Sequence, residues 1–165
     1  HVSHKVPGIN LSTGSLGHGL PVATGMALAD KINKITSKIF VILSDGEVDE
    51  GSNWESLLFS SHHKLNNLVI IIDYNKIQSI DFVKKTLNLE PLKKKFESFN
   101  CKVLNIDGHN LGQITKALNS KSSKPLVIIA NTVKGKGVRF MENTVLWHYR
   151  SLNLVDYKKA MKIVK

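Results

Sequence analysis

Residues 39–75 read IFVILSDGEVDEGSNWESLLFSSHHKLNNLVIIIDYN, and they indicate a strand, a loop, a helix and a second strand. The apolar runs at residues 39–43 and 68–72 are rich in β-branched side chains and are bounded by turn-forming residues, which is typical of buried parallel strands. The segment at residues 52–64 between them has helical periodicity. The stretch therefore predicts a right-handed crossover between two parallel strands.

The rest of the chain continues this alternation of helices and strands. The pattern predicts helices at residues 20–32, 89–99, 111–119 and 153–165, and strands at residues 102–106 and 126–131. We therefore predict one doubly wound α/β domain over residues 1–165, with a mostly parallel sheet and helices on both faces. Because the chain starts at His1 rather than Met, we expect a domain that lacks its amino-terminal part.

Two polar residues follow the two strands of the opening stretch. Asp45 follows the first strand and Asn75 follows the second, so both belong to the sheet edge where α/β proteins bind ligands. Carboxylate and amide oxygens suit Mg²⁺, which completes its octahedron with phosphate and water. Gly46 would let the backbone approach a bulky anion. A simple turn at Asp45-Gly46 and a strand cap at Asn75 would explain the same residues without any ligand.

Three segments of the chain resemble transketolase, and most of all the amino-terminal half of the transketolases that are split between two genes. They are DEGSNWE at residues 49–55, HHKLNNL at residues 62–68 and DYNKIQS at residues 73–79. An Asp-Gly pair at one strand end, followed by an Asn after the next strand, is similar to the thiamine diphosphate motif of that family. The resemblance therefore implies thiamine diphosphate as the cofactor.

The same resemblance implies a set of metal ligands. In the family the Asp, the Asn and the carbonyl two residues after the Asn hold the divalent metal, which implies Asp45, Asn75 and Ile77 here. The metal would be Mg²⁺, or Ca²⁺ or Mn²⁺ in its place. Ser44 stands where the family usually has Gly, and its hydroxyl could join the shell of groups around the phosphates.

A glycine-rich loop leads into the first predicted helix, which is a suitable arrangement for a phosphate. Its sequence, STGSLGHG at residues 12–19, resembles the cofactor loop of transketolases. The resemblance implies that Gly14 and Leu16 contact the cofactor through their backbones. His18 is either a donor that faces the ligand or an ordinary loop histidine, and we place it with the cofactor-binding residues.

Two further histidines match functional positions of the family. The start of the chain, His1-Val2-Ser3, is similar to the family's Gly-His-Pro-Ser segment, in which the His reaches the reactive ring and the donor sugar. The segments KGKGV at residues 134–138 and WH at residues 147–148 are similar to a second family segment, which implies that His148 faces the diphosphate and the substrate. Tyr149 replaces the Gly that follows in the family. The alternatives are that His1 is an ordinary terminal residue and that His148 is an ordinary packed loop residue.

As a whole, the resemblance implies a transketolase subunit that transfers a two-carbon ketol unit between sugar phosphates. The family's activating glutamate lies on a pyrimidine-binding domain, so turnover would need a partner chain that carries it. Glu50 matches a glutamate at the family's dimer interface, which implies self-association through the helix that follows it; the alternative is an acidic residue that is simply favoured at the start of a helix. Another thiamine-dependent enzyme, similar to deoxyxylulose-phosphate synthase, is one alternative, and a non-catalytic cofactor-binding module is the other.

Composition bears on nucleic-acid binding, on membrane spans and on disulfide bonds. The net charge is +10, but the lysines are scattered, so a solvated surface that favours sugar phosphates is the preferred interpretation over nucleic-acid binding. No apolar run approaches the ~20 residues of a membrane span. Cys101 is alone, so an internal disulfide is impossible and a reducing cytoplasm is the expected location.

Overall fold

The computed structural model describes residues 2–164 and contains a parallel sheet of four strands. The strands are β1 (Ile39–Ser44), β2 (Leu68–Tyr74), β3 (Lys102–Asp107) and β4 (Leu126–Asn131). Their spatial order is β1-β2-β4-β3, and all three neighbouring pairs are parallel. The predicted α/β class is therefore confirmed. The order also brings the carboxyl ends of β1, β2 and β4 side by side.

Helices connect and cover these strands. They are α1 (Gly19–Ile32), α2 (Gly51–His62), α3 (Val83–Thr86), α4 (Leu92–Ser98), α5 (Leu111–Leu118) and α6 (Leu154–Val164), with short 3-10 helices at Gly46–Asp49 and Val145–His148. The α3 helix, which has four residues, was not among the helices that the sequence predicted. Among residues 2–164, no helix is both long and apolar enough to cross a membrane.

The core lies mainly on one face of the sheet. There α1, α2 and α4 bury strand residues such as Leu43, Ile70 and Ile72. A smaller cluster on the opposite face joins Val69 and Ile128 to α5. Helices thus occupy both faces, as predicted, but unequally. The central strands β2 and β4 have cover on both faces, which explains their nearly continuous apolar sequences.

One prediction about β1 was wrong. The sequence indicated a strand buried on both faces, whereas the side chains of Phe40 and Ile42 are 51% and 70% exposed. The reason is that the apolar cluster on this face, where α5 packs, does not extend as far as β1 at the edge of the sheet. Its other face, which carries Leu43, packs against the helices.

The buried face of α2 also differs from the core-facing stripe that helical spacing predicts, which comprises Trp54, Leu57, Leu58 and Ser61. Leu57 is buried as predicted, but Leu58 is 62% exposed, and the small polar residues Ser56 and Ser60 are buried instead. The Ser60 hydroxyl lies 3.1 Å from the Thr24 hydroxyl of α1 and donates a hydrogen bond to the Ser56 carbonyl. Small side chains with satisfied hydroxyls allow α1 and α2 to pack closely, and this packing turns Leu58 outward.

Candidate functional site

The site begins where β1 and β2 end. Asp45 is only 1% exposed, and its carboxylate accepts two backbone hydrogen bonds. Oδ1 accepts from the Gly46 N–H at 2.8 Å, and Oδ2 accepts from the Lys76 N–H at 2.5 Å. The second bond joins the two strand ends directly. The structure therefore brings Asp45 next to the turn that carries the other predicted metal ligands.

That turn, residues 75–77, has a defined geometry. The side-chain Oδ1 of Asn75 accepts from the Ile77 N–H at 3.1 Å, so the side chain forms a local turn of its own. Lys76 between them has a φ of +67°, which aims its N–H at Asp45. Ile77 is 1% exposed and pairs with Phe82 in an antiparallel bridge. Asn75 and Ile77 thus share one turn next to Asp45, and the role of all three in binding a metal stays a prediction.

Burial dominates the electrostatics of the Asp45 carboxylate. It raises the pKa of Asp45 to about 6, and the charge of Asp73 on β2 contributes to the rise. The hydrogen bonds from Lys76 and Gly46 lower the pKa, as does the positive charge of Lys134, but they do not outweigh burial. An ionised carboxylate in such a place costs free energy, and a bound cation would offset that cost.

Carboxylates alone do not form a metal site here. Within residues 2–164, no three side chains of His, Cys, Asp or Glu are grouped so that they could hold a metal ion. A cation at Asp45 would therefore depend on the amide oxygen of Asn75, on a backbone carbonyl and on oxygens of the ligand itself. Mg²⁺ tolerates such a mixed set, because it usually keeps only one or two carboxylates.

Ser44 and Gly46 both make contacts within the chain that do not depend on a ligand. The Ser44 hydroxyl accepts a hydrogen bond from the Glu47 N–H at 3.1 Å and so caps the 3-10 helix. A Cβ on Gly46 would lie 3.2 Å from Cγ of the buried Gln78, so a larger residue would press on the Gln78 side chain even without a ligand. Gln78 in turn donates to Asp49 at 2.8 Å.

Gly17 fixes the glycine-rich loop against the segment at residues 47–52. The Gly17 N–H donates to Glu47 Oε1 at 3.1 Å, and the Ser52 hydroxyl donates to the Gly17 carbonyl at 2.6 Å. Gly17 has a φ of +76°, and a Cβ there would lie 2.5 Å from Ser52 Oγ and 2.8 Å from Glu50 Cβ. The contact therefore requires glycine for two separate reasons, its backbone conformation and its lack of a side chain.

We expect Gly17→Ala to lower the free energy of unfolding by about 2–4 kcal/mol, since the left-handed conformation and the overlap both disfavour a side chain. Urea denaturation measures the change. Gly8→Ala is the matched control, because Gly8 has a φ of +90° but no atom within 4 Å of the position that a Cβ would take. This control should lose only about 1 kcal/mol. Equal losses in the two variants would show that Gly17 makes no close contact.

The other predicted residues of this loop are exposed. Gly14 and Leu16 lie on its surface, and Leu16 is 52% exposed. His18 is the residue before α1, and its Nδ1 lies 3.0 Å from the Leu16 carbonyl. This contact favours a role for His18 within the loop. The predicted roles of all three residues in cofactor binding stay predictions.

The second predicted segment follows β4 and contributes Lys134 and His148. Burial lowers the pKa of His148, and the positive charge of Lys134 lowers it further, so the imidazole is held neutral near neutral pH. Trp147 Nε1 donates to the Phe140 carbonyl at 3.1 Å and anchors the short helix that carries His148. Tyr149 is 70% exposed and does not fill the site.

A cavity of about 380 Å³ opens between the ends of β2 and β4. Its lining includes Asp73, Asn75, His109, Thr132 and Lys134. Asn75 and Lys134, one from each predicted segment, therefore meet in one place, whereas Asp45 and His148 are not among the residues that line this cavity. His1, which was predicted to reach the same site, lies outside the described residues.

Sequence reasoning did not single out two of the residues that shape this site. The backbone of Lys76 holds Asp45, and nothing in the local sequence signals that contact. Lys134 supplies the positive charge that acts on both Asp45 and His148. Its place in the Lys-Gly-Lys-Gly run after a strand was a signal that could have identified it.

The chain is similar to known proteins over nearly its whole length. The family described as "Transketolase, thiamine diphosphate binding domain" matches residues 1–163. Among solved structures, transketolase from Campylobacter jejuni superposes with a TM-score of 0.88 at 35% identity, covering 94% of this chain and 26% of that one. A transketolase variant from Pichia stipitis shares the fold, with a TM-score of 0.85 at 24% identity, covering 95% of this chain and 25% of that one.

Curated relatives include subunits of two transketolases. One subunit of the apulose-4-phosphate transketolase of Actinobacillus succinogenes is 46% identical over 151 residues, which are 90% of this chain and 55% of the relative. One subunit of the 6-deoxy-6-sulfo-D-fructose transketolase of Clostridium sp. is 39% identical over 160 residues, which are 95% and 58%. Human transketolase is 37% identical over 153 residues, which are 90% and 25%. The chain thus spans little more than half the length of the two subunits.

Proposed function

The chain belongs to the transketolase family, in which it matches the thiamine diphosphate binding domain, and from this membership we propose that it binds the cofactor's diphosphate through a divalent metal at Asp45. One observation carries the proposal. The buried Asp45 carboxylate accepts a hydrogen bond from the turn at residues 75–77. One carboxylate, one amide oxygen and one backbone carbonyl therefore belong to the same hydrogen-bonded group of residues. This mixed oxygen set suits Mg²⁺, and Ca²⁺ or Mn²⁺ less closely.

The residues around this unit have complementary roles in the proposal. Asp45, Asn75 and Ile77 hold the metal, and Lys134 adds positive charge for the anionic diphosphate. His148, kept neutral, can donate a hydrogen bond to a phosphate or accept one from a substrate hydroxyl without carrying charge. When bound, the thiazolium ring of the cofactor supplies an electron sink for carbanion chemistry. Gly14, Leu16 and His18 are proposed to line the same cofactor.

Isothermal calorimetry tests the binding proposal. Thiamine diphosphate should bind to the chain assembled with a pyrimidine-domain partner when Mg²⁺ is present and should bind much more weakly when EDTA removes it. Binding that is independent of any divalent metal would contradict the proposed role of Asp45.

The activity of the whole protein is a second proposal. We propose that the chain works as part of a transketolase that moves a two-carbon ketol unit between sugar phosphates. Several of its relatives are named as transketolase subunits, which supports a partner chain, and we propose that this partner carries the pyrimidine-binding domain. His1 is proposed to reach the donor sugar, and the cytoplasm is the proposed location. The net charge of +10 favours anionic substrates of this kind.

Self-association is proposed to use the helix α2. Its side chains Leu58 and Phe59 are 62% and 44% exposed, although both are apolar. Leu16 at the glycine-rich loop adds further exposed apolar surface. Exposed apolar patches of this kind usually mark contact with another chain. Glu50, which directly precedes α2, is itself exposed and is proposed to lie at that contact.

The pKa of Asp45 leads to a pH-dependent stability. We expect the free energy of unfolding of the metal-free chain to fall by about 3 kcal/mol as the pH rises from about 4 to about 6. The reason is that the pKa of Asp45 is about 6 in the folded chain, against an ordinary value of 3.8. In this pH window the folded chain binds more protons than the unfolded chain, so stability decreases as the pH rises. Urea denaturation at a series of pH values measures the effect.

The control for this experiment is Asp45→Asn, which removes the titrating group. The pKa values of Glu47 and His148 are also shifted, so the difference between the wild-type and variant curves isolates Asp45. Added Mg²⁺ should reduce the fall in the wild type, because a cation stabilises the ionised carboxylate. Parallel curves for the two proteins would show that Asp45 does not titrate in this range.

A further inference from the structure

The chain segment that leaves β4 is anchored on both sides. On the β2 side, the Thr132 N–H donates to the Tyr74 carbonyl at 3.3 Å, and the Thr132 hydroxyl donates to Asp73. On the β3 side, the next N–H, that of Val133, donates to Nε2 of His109 at 2.8 Å. Since β3 has already ended at Asp107, the imidazole supplies the acceptor that a further strand residue would have supplied.

His109 is held in place by its own turn. Its N–H donates to Asp107 Oδ1 at 2.9 Å, and the Gly108 N–H donates to the Asn131 carbonyl at 2.8 Å. A Cβ on Gly108 would lie 2.5 Å from Cγ2 of Thr132 and 3.1 Å from the Asn131 carbonyl oxygen, so the turn is pressed against β4. Because Nε2 accepts a hydrogen bond, the ring is neutral and carries its proton on Nδ1.

Val133, whose N–H is bonded to His109, directly precedes the lysine that adds positive charge to the site. Lys134 follows Val133, and the Lys134 carbonyl accepts from the Asn143 N–H at 3.1 Å, which closes the loop. Lys134 and His109 both line the cavity between β2 and β4. The position of the lysine backbone is therefore fixed by a hydrogen bond on each side of it.

We propose that His109 is a positioning residue that, through the Val133 N–H, holds Lys134 at the cavity that Asn75 also lines, next to the proposed diphosphate site. The inference rests on the proposed binding function. His109 acts through the backbone and is not assigned a contact with the cofactor. Its contribution is to hold the backbone next to Lys134 before the ligand arrives, which reduces the ordering that binding would otherwise require.

Two substitutions at His109 separate the hydrogen bond from the bulk of the ring. His109→Ala removes the acceptor, and we expect thiamine diphosphate with Mg²⁺ to bind about tenfold more weakly to the assembled complex. His109→Gln places an amide oxygen near the position of Nε2, so it should restore affinity to within about threefold of the wild type. Hydrogen exchange of the Val133 amide should be faster in the alanine variant and slow again in the glutamine variant.

A control on the same turn distinguishes positioning from general destabilisation. Gln113 Oε1 accepts from the Asp107 N–H at 2.9 Å, so Gln113→Ala loosens the turn without touching Val133. It should lower the unfolding temperature but leave cofactor affinity unchanged. An equal loss of affinity in Gln113→Ala and His109→Ala would overturn the proposal.

A double-mutant cycle tests whether His109 acts through Lys134. In a Lys134→Ala background, His109→Ala should weaken cofactor binding by less than about twofold, because the side chain that it positions is gone. Full additivity would overturn the inference. Absence of cofactor binding by the wild-type complex would instead contradict the proposed function, while the exchange of the Val133 amide would still report on the hydrogen bond.

Discussion

Asp45→Ala is expected to abolish metal-dependent binding of thiamine diphosphate. The substitution removes the one carboxylate of the proposed ligand set, and a charge-assisted ligand contributes on the order of 3 kcal/mol, which is about a 100-fold loss of affinity. The negative charges of the diphosphate would then face Asp73 without a bridging cation. Calorimetry with thiamine diphosphate and Mg²⁺, on the complex with a pyrimidine-domain partner, measures the loss.

Two further variants make this result specific. Asp45→Asn keeps the shape of the side chain and one of its two acceptor oxygens, so it preserves one of the hydrogen bonds that the Gly46 and Lys76 N–H groups donate while it removes the charge. It should still lose most of the affinity. Asp73→Asn removes an equal charge from the neighbouring strand and should change affinity by less than about fivefold, since Asp73 is outside the ligand set. Unchanged affinity in Asp45→Ala would rule out the metal assignment.

The purified chain by itself is expected to show no ketol transfer. In the family that this chain resembles, the activating glutamate lies on the pyrimidine-binding domain, and no cofactor is expected to be activated without it. Adding a partner chain with that domain should produce turnover of a ketose phosphate donor with an aldose phosphate acceptor, for a rise of at least about 10³-fold. A coupled assay that detects the released aldehyde measures the rate, and light scattering follows assembly beyond 18.3 kDa.

The outcomes of this experiment separate the remaining interpretations. Turnover by the pure chain would contradict the split arrangement. A complex that forms and binds cofactor but transfers no ketol unit would favour a non-catalytic module or a different thiamine-dependent reaction. The partner with its glutamate replaced by alanine is the matched control, because it should assemble normally but remain inactive.

Most of the secondary structure could be predicted from local sequence. The β-branched runs bounded by turn residues marked all four strands, and the observed β4 (Leu126–Asn131) has the predicted limits. Strand propensity and turn chemistry act over a few residues, so they are visible without tertiary information. The position of Asp45 and Asn75 at the ends of neighbouring parallel strands followed from the same pattern.

Surface exposure was less predictable. Phe40 and Leu58 are apolar and were expected in the core, yet both are exposed, while the polar Ser60 is fully buried. Exposure depends on which elements pack against a residue. For Ser60 the decisive neighbour is Thr24, which belongs to another helix.

The electrostatics and the rigidity of the site came entirely from contacts between distant segments. The raised pKa of Asp45 reflects burial that Lys76 and Lys134 only partly offset, and the support of Lys134 depends on His109. These residues meet because the strand order is β1-β2-β4-β3, in which the last two strands are exchanged relative to the chain. Local propensities identify the strands but not their order, because the order is set by the packing of whole helices across the sheet.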